Sequence, residues 1–168
     1  HIGIAVLSTG AVEYRIQDGA SNKDADTATG KVTTGSWFHL ALTYDGANVK
    51  GYINGILEAT TAHSGDIDAE TSTFRIGAGT SNIYPFDGLI RDARLYDYAL
   101  SADQVSSLYS GSFNVTPNKF WFKFDEGTGT GTSAYGDSNT NTVTVSAVTD
   151  PDWSNGTLNL DGALTIEE

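Results

Sequence analysis

The stretch that decides the fold is Trp37-Phe38-His39-Leu40-Ala41-Leu42-Thr43-Tyr44. Starting at Phe38, every second side chain is apolar and lies on one face, and the residues between them lie on the other. A period of two is typical of a half-buried β-strand. The sequence therefore predicts a strand from Trp37 to Tyr44.

The residues that follow predict two sharp reversals of the chain. Asp45-Gly46 leads into a strand from Val49 to Ile53, and Asn54-Gly55 leads into a third strand at Ile56-Leu57. Asp-Gly and Asn-Gly tolerate the positive φ angles that a tight hairpin needs. This region therefore predicts a meander of three antiparallel strands.

On the N-terminal side, Ile2 to Leu7 and Ala11 to Ile16 predict a hairpin, and Ala20 to about Gly30 predicts a polar loop. On the C-terminal side, Thr73 to Gly77 and Leu89 to Tyr96 predict two more strands. A short helix near residues 102–109 is predicted next. Ser101 and Gln104 stand at the positions of a capping box, which marks the beginning of a helix.

The composition narrows the classes of function. Only 18% of the residues are charged, and the formal net charge is -12. Because a phosphate backbone and an anionic membrane surface both attract basic segments, we expect neither nucleic acid nor a membrane as partner. The chain contains no Cys, which excludes disulfides and thiolate chemistry. No apolar run approaches the ~20 residues of a membrane-spanning helix.

Two segments resemble one known family. Trp37 to Gly46, followed by Gly51-Tyr52-Ile53-Asn54-Gly55, is similar to the "W-x-H-x-A-x-T-Y-D-G … Y-x-N-G" core of laminin G-like domains. Phe86 to Tyr96, followed by Ala99-Leu100-Ser101, resembles their closing strand and helix. These domains belong to the concanavalin A-like lectin/glucanase superfamily. The resemblance implies an all-β, antiparallel two-sheet jelly-roll sandwich with one short helix.

The resemblance also implies a core. We expect Trp37 and His39 to be packed residues of the sandwich rather than ligand contacts. The residues expected to be buried are Trp37, Leu40, Leu42, Ile53, Ile76 and Leu95.

The last third of the chain carries a second resemblance. Phe124 to Gly129 and Leu158 to Gly162 are similar to the opening strands of a laminin G-like domain. We therefore expect residues 1–111 to be the later two-thirds of one sandwich, 112–118 a connector, and 119–168 the opening strands of a following module. A permuted domain, or strands exchanged between copies, fits the same order. An incomplete sandwich would expose strand edges that attract another chain.

One segment raises the question of catalysis. Hydrolases of this superfamily carry E-x-D-x-E or E-x-D-x-x-E on a strand, which supplies the two carboxyl groups of a retaining glycosidase. The similar stretch here is Asp66-Ile67-Asp68-Ala69-Glu70, in which the first carboxyl group is one methylene shorter and the flanks are typical of a loop. We therefore predict no catalytic residue, with Asp68 and Glu70 in an exposed loop that faces no cleft.

One structural calcium ion is the cofactor that the resemblance implies, bound by loop oxygens at the rim of a sheet. Asp137 and Asn139, in Tyr135-Gly136-Asp137-Ser138-Asn139, are spaced like alternating oxygen ligands, and Asp125 is a further candidate. The competing interpretation is an ordinary Asx turn. Arg91 stands where the family often has Asp, which weakens any site that needs that carboxylate.

Two aromatic residues are candidates for a carbohydrate site. Trp153 follows Asp150-Pro151-Asp152 in a polar stretch that predicts a loop. Its ring would either stack on a sugar or hold the loop against the sandwich. Tyr84 is the second candidate.

Together these features predict a non-catalytic laminin G-like module of a secreted surface or fibre protein, acting in adhesion, glycan recognition or assembly. Two other functions stay open: a carbohydrate-binding accessory module of a secreted glycoside hydrolase, and a structural subunit of a virion or extracellular filament. The expected partners are glycans, surface proteins, and further copies or tandem modules of the chain itself. Aromatic residues exposed on one face would favour sugar binding, whereas contact through strand edges would favour assembly.

Overall fold

The computed structural model describes residues 2–19, 21–67, 74–77, 86–112, 117, 120–122, 134–135, 142–144, 152–154, 157–160 and 164–167. These residues form antiparallel β-sheets and one short α-helix. The all-β fold expected of a jelly-roll sandwich is therefore confirmed. The chain divides into two compact units, residues 1–70 with 98–115 and residues 71–97 with 116–168.

The first unit consists of two sheets and the helix. Its described strands are β1 (Ile2–Val6), β2 (Val12–Asp18), β3 (Ser21–Asp26), β4 (Leu40–Tyr44), β5 (Asn48–Ile53) and β6 (Ile56–Ala62). One sheet has the order β1-β2-β3 and the other has the order β4-β5-β6. Apolar side chains of both sheets meet in one core, so this unit is a two-layer sandwich.

The hairpin of β1 and β2 is confirmed, but the strand after it was not predicted. β3 pairs antiparallel with β2, where the sequence had indicated a polar loop from Ala20 to about Gly30. Only Ala25 in this strand is apolar, and it alone is buried. An edge strand with a single buried position lacks the alternation by which strands are identified, which explains the wrong prediction.

The predicted meander is confirmed, because β5 pairs with β4 and with β6. Asn54 and Gly55 have φ angles of 51° and 79°, the paired left-handed conformation of a type I′ hairpin turn. Asp45 shapes the other turn. Its Oδ1 accepts hydrogen bonds from the backbone N–H groups of Ala47 (3.0 Å) and Asn48 (2.7 Å).

Tyr14 lies at the centre of the core of the first unit. This side chain is fully buried, and its hydroxyl donates a 2.7 Å hydrogen bond to the backbone carbonyl of Tyr52. Its ring lies against Gly51, where an added Cβ would overlap the ring atoms. Tyr14 therefore joins the two sheets through a close approach that only glycine permits. The other buried members of this core are Val12, Ile16, Ala25, Val49, Ile53 and Ala59.

The residues expected in the core differ in burial. The buried ones are Ile53 and Ile76, and the partly buried ones are Leu40, Leu42 and Leu95. Trp37 is exposed, so the prediction that it is a core residue is wrong. It precedes the first residue of β4, and its phase in the alternation is opposite to that of Leu40 and Leu42, which pack against the core. Thr43 shares this phase and is buried, so the exposure of Trp37 reflects its position before the first residue of β4.

The helix α1 (Ala102–Tyr109) begins where the sequence predicts. The Ser101 hydroxyl accepts a hydrogen bond from the Gln104 N–H (3.2 Å), and the Gln104 side chain accepts one from the Ser101 N–H (2.8 Å). These two bonds complete the capping box. Leu100 and Val105 are both buried. Gly111, with a φ of 75°, provides the left-handed residue that follows many helices.

The second unit is built from short strands. Three come from the middle of the chain: β7 (Phe74–Ile76), β8 (Gly88–Ile90) and β9 (Ala93–Leu95). Further described strands follow the helix: β10 (Phe120–Phe122), β11 (Ala134–Tyr135), β12 (Thr142–Thr144), β13 (Asp152–Ser154), β14 (Thr157–Leu160) and β15 (Leu164–Glu167).

Each strand from the middle of the chain pairs antiparallel with a strand from the last third. β9 pairs with β10, β8 with β14, and β7 with β15. A third strand completes each of these sheets. β11 pairs with β10, β13 pairs with β14, and β12 pairs with β15. Strands of residues 119–168 and strands of residues 74–95 thus share sheets within one chain. The module boundary expected at residues 112–118 stays a prediction.

The structure divides the strand predicted from Leu89 to Tyr96 into two. Asp92, between β8 and β9, has a φ of 60°. Its carboxylate accepts two hydrogen bonds from Arg94 (2.7 and 3.0 Å) and one from the indole N–H of Trp121 (2.6 Å). The Arg94 guanidinium lies 4.2 Å from the centroid of the Trp121 ring. These contacts link β9 to β10 and stabilise a backbone conformation that is uncommon outside glycine.

Candidate functional site

Most residues that the sequence singles out lie outside the described part of the chain. They are Asp68, Glu70, Tyr84, Asp125, Asp137 and Asn139. Trp153 lies on β13, opposite Leu158 of β14, and not in the loop that was predicted. Its side chain is also outside the described part. The calcium site stays a prediction, which a rise in melting temperature on adding calcium would support and an unchanged temperature would contradict.

Within the described residues, two hydrogen bonds fix one end of the first unit. The Asn54 N–H donates to the His39 carbonyl (2.8 Å), and the His39 N–H donates to Asn54 Oδ1 (2.9 Å). These bonds link the turn between β5 and β6 to the segment that enters β4. Trp37, two residues before His39, is therefore held near the same end of the sheet.

The helix contacts the same turn. An added Cβ at Gly55 would lie 3.0 Å from Ser106 Cα and 3.2 Å from Tyr109 Cβ. The φ of Gly55 is 79°, so both the contact and the backbone conformation disfavour a side chain at this position. The Tyr109 ring lies 6.1 Å from the His39 ring, measured between centroids. Helix and turn therefore form one continuous surface.

The segments that meet here, namely the turn, the approach to β4 and the helix, carry four large apolar side chains that are exposed. They are Trp37 (48%), Ile56 (64%), Leu57 (48%) and Tyr109 (53%), which we call the hairpin-end cluster. A group of exposed apolar side chains marks a binding surface in a way that a single one does not. Trp and Tyr rings present a flat apolar face and a polar edge, which suits stacking against a sugar ring.

The sequence contained part of the signal for this cluster. The alternation from Trp37 to Tyr44 places Trp37 opposite to the core-facing residues, but its match to the family pattern led to its assignment to the core. Tyr109 carried no comparable signal. It lies in the last turn of a short helix, and its exposure depends on how that helix packs.

Ionisable side chains meet at the opposite end of β4. His63 is buried, its ring stacks on Tyr44 at 5.5 Å, and its Nε2 lies 3.8 Å from the Asp18 carboxylate. The Tyr44 hydroxyl donates a hydrogen bond to the carbonyl of Gly65. Partial burial, followed by the charges of Asp18 and Asp66, raises the pKa of Tyr44. Among the residues placed by the structure, no three His, Asp or Glu side chains come close enough to hold a metal ion.

Several described carboxylates are paired with cations. Asp45 accepts a 2.6 Å hydrogen bond from Lys50, which together with its turn bonds lowers the pKa of Asp45 to about 2. Two N–H groups of Arg15 bind Asp24 (2.7 and 2.8 Å) and lower its pKa. Burial raises the pKa of Glu13, but Arg15 contacts this group as well (3.0 Å). A glycosidase instead needs two carboxyl groups that face a sugar across a cleft.

Known proteins share part of this sequence. A family model described as "Concanavalin A-like lectin/glucanases superfamily" matches residues 1–106. Usherin from Mus musculus is 24% identical over 106 residues, and usherin from Homo sapiens is 25% identical over 104 residues. These matches cover 60% and 58% of this chain but only 2% of each usherin.

A solved structure is also similar. It is the crystal structure of an S-layer domain-containing protein (residues 221-444) from Clostridium thermocellum ATCC 27405. The identity is 26%, the match covers 64% of this chain and 55% of that chain, and the TM-score is 0.40. In the part of this chain that the structure describes, no helix is long and apolar enough to cross a membrane.

Proposed function

Because the chain belongs to the concanavalin A-like lectin/glucanases superfamily, we propose that it is a non-catalytic, extracellular module that binds carbohydrate through the hairpin-end cluster. The observation that carries this proposal is the exposure of Trp37, Tyr109, Ile56 and Leu57 on segments that meet at one end of the sandwich. The superfamily description names lectins and glucanases, and both kinds of protein bind sugars. The exposed rings supply the flat apolar surface that such binding uses.

The ion pairs of the described carboxylates fit binding better than hydrolysis. The acid of a glycosidase keeps its proton near neutral pH because its surroundings raise its pKa. Asp45 and Asp24 have the opposite property, since their partners Lys50 and Arg15 lower their pKa values. These two carboxylates stay ionised near neutral pH and cannot protonate a leaving group. Burial raises the pKa of Glu13, but this group is held in an ion pair with Arg15. The extracellular assignment follows from the proposed ligand class and from the laminin G-like pattern.

Affinity electrophoresis against a panel of soluble polysaccharides tests this proposal. We expect at least one polysaccharide to retard the chain. Trp37→Ala and Tyr109→Ser should each weaken that binding about fivefold, because a lost stacking contact is worth ~1 kcal/mol. Tyr98→Ser is the matched control, since Tyr98 is also exposed (44%) but lies before the helix, outside the hairpin-end cluster.

Two results would contradict the proposal. In the first, no polysaccharide retards the wild-type chain. In the second, the retardation persists unchanged in Trp37→Ala and Tyr109→Ser although both variants are folded. A release of reducing ends from the bound polysaccharide would contradict the non-catalytic assignment alone.

A further inference from the structure

The strand β1 lies at an edge of its sheet and is incompletely covered. Among the described strands it pairs with β2 alone. Its inner-face side chains, Ile2, Ile4 and Val6, are 37%, 43% and 38% exposed, although the residues opposite them on β2 are fully buried. The core that covers β2 completely therefore covers β1 only in part.

The two edges of this sheet differ in charge. β3, at the other edge, carries Lys23, Asp24 and Asp26, and charged residues of this kind keep an exposed edge from pairing with another chain. β1 carries no charge, and neither do the residues after it up to Gly10. In a chain with a net charge of -12, this edge allows a second copy to approach without placing acid against acid.

The sequence of β1 is complementary to itself in the antiparallel direction. Ile2-Gly3-Ile4-Ala5-Val6 alternates large and small side chains symmetrically about Ile4. An antiparallel pair centred on Ile4 places Ile4 opposite its equivalent, Ile2 opposite Val6, and Gly3 opposite Ala5. Large apolar side chains then meet on the inner face and small ones on the outer face, which is a favourable set of cross-strand pairs.

We propose that β1 pairs antiparallel with β1 of a second copy about a two-fold axis at Ile4. Two three-stranded sheets thereby become one sheet of six strands, and the apolar inner faces of both copies become continuous. This assembly surface is separate from the hairpin-end cluster and does not depend on carbohydrate binding.

The neighbouring strand favours this register. On the outer face, Gly3 lies beside Arg15 and Ala5 lies beside Glu13. In the proposed pair, Arg15 of each copy shares a row with Glu13 of the other, with only Gly and Ala between them. The two β2 strands are then three strand spacings apart, about 14 Å, so the attraction is modest but has the correct sign.

Other registers are less favourable. A shift of two residues in one direction places Arg15 of one copy in the same row as Arg15 of the other copy. A shift in the other direction does the same for the two Glu13 side chains, so like charges face each other in both cases. A shift of one residue turns the core faces of the two copies to opposite sides of the sheet.

The interface between the two β1 strands is small. It buries less than the ~1,200 Å² of a standard interface, so we expect a weak association that gains strength when several copies are tethered.

Cysteine cross-linking tests the register directly, because these 168 residues contain no Cys. In the full chain, Ile4→Cys places two thiols opposite each other, with Cα atoms about 4.5–5.5 Å apart, which suits a disulfide. Val6→Cys is the matched control. Its thiol faces Ile2 of the other copy, and the two Val6→Cys positions lie about 13 Å apart along the strands.

We expect Ile4→Cys to form a disulfide-linked dimer under mild oxidation, while Val6→Cys and the exposed Ile56→Cys stay monomeric. Sedimentation equilibrium should show the average mass of the wild-type chain rising with concentration. Ile4→Lys should abolish this rise and Ile56→Lys should retain it, with circular dichroism as the check on folding. A wild-type chain that stays monomeric up to millimolar concentration, or an Ile4→Cys variant that cross-links no faster than Val6→Cys, would overturn the proposal.

Discussion

At the scale of single residues, the contact between Tyr14 and Gly51 joins the two sheets of the first unit. The ring occupies the space that a Cβ at Gly51 would fill. Gly51→Ala should therefore force the ring or the strand to move and lower the free energy of unfolding by about 1–3 kcal/mol. Urea denaturation monitored by Trp fluorescence measures this loss.

A double-mutant cycle separates this steric effect from any other effect of Gly51→Ala on the free energy of unfolding. In a Tyr14→Leu background the ring is absent, so Gly51→Ala should cost clearly less. An equal cost in both backgrounds would show that the ring is not the obstacle.

Asp45 makes a prediction about pH. Its pKa falls from 3.8 to about 2, because Lys50 and two backbone N–H groups bind the ionised form. A lowered folded-state pKa stabilises the native chain above the unfolded pKa, and this contribution disappears as the pH falls from about 4 towards 2. In Asp45→Asn the oxygen that shapes the turn is kept and the ionisation is lost, so its melting temperature should fall less steeply over that range. Parallel pH profiles for the two proteins would contradict this explanation.

At the scale of elements, the helix α1 depends on its cap. Ser101→Ala removes the acceptor for the Gln104 N–H and should lower the free energy of unfolding by about 1 kcal/mol. Ser106→Ala is the control, because Ser106 is exposed in the helix interior, where alanine is favourable. Thermal denaturation compares the two variants. The assignment of the cap would be wrong if both changed stability equally.

The elements also show how far the sequence could be interpreted. The meander and the helix were predictable because their signals are local: alternation, Asn-Gly and Asp-Gly turns, and a capping box. β3 was missed because its edge position, not its sequence, makes it a strand. The break at Asp92 was missed because Arg94 and Trp121 stabilise it, and Trp121 is distant in sequence. The exposure of Trp37 was missed because a family pattern does not tell which face of a strand is covered.

At the scale of the whole molecule, the last third of the chain supplies the partners of β7, β8 and β9. A chain that ends at Gly111 would leave these three strands without their described antiparallel partners. We expect this truncation to lower the melting temperature and to cause aggregation. If the truncated chain were as stable and soluble as the full chain, residues 119–168 would instead be the beginning of a following module.

The central claim is that this chain binds a carbohydrate without cutting it. One measurement tests both halves of the claim. The wild-type chain is immobilised and incubated with the polysaccharide that retards it most in affinity electrophoresis. The polysaccharide is then eluted, and its length is measured by light scattering. We predict retention on the wild-type chain, weaker retention on Trp37→Ala, and recovery of the polysaccharide at its original length. Polysaccharide that is not retained, or that is recovered shortened, would contradict the account.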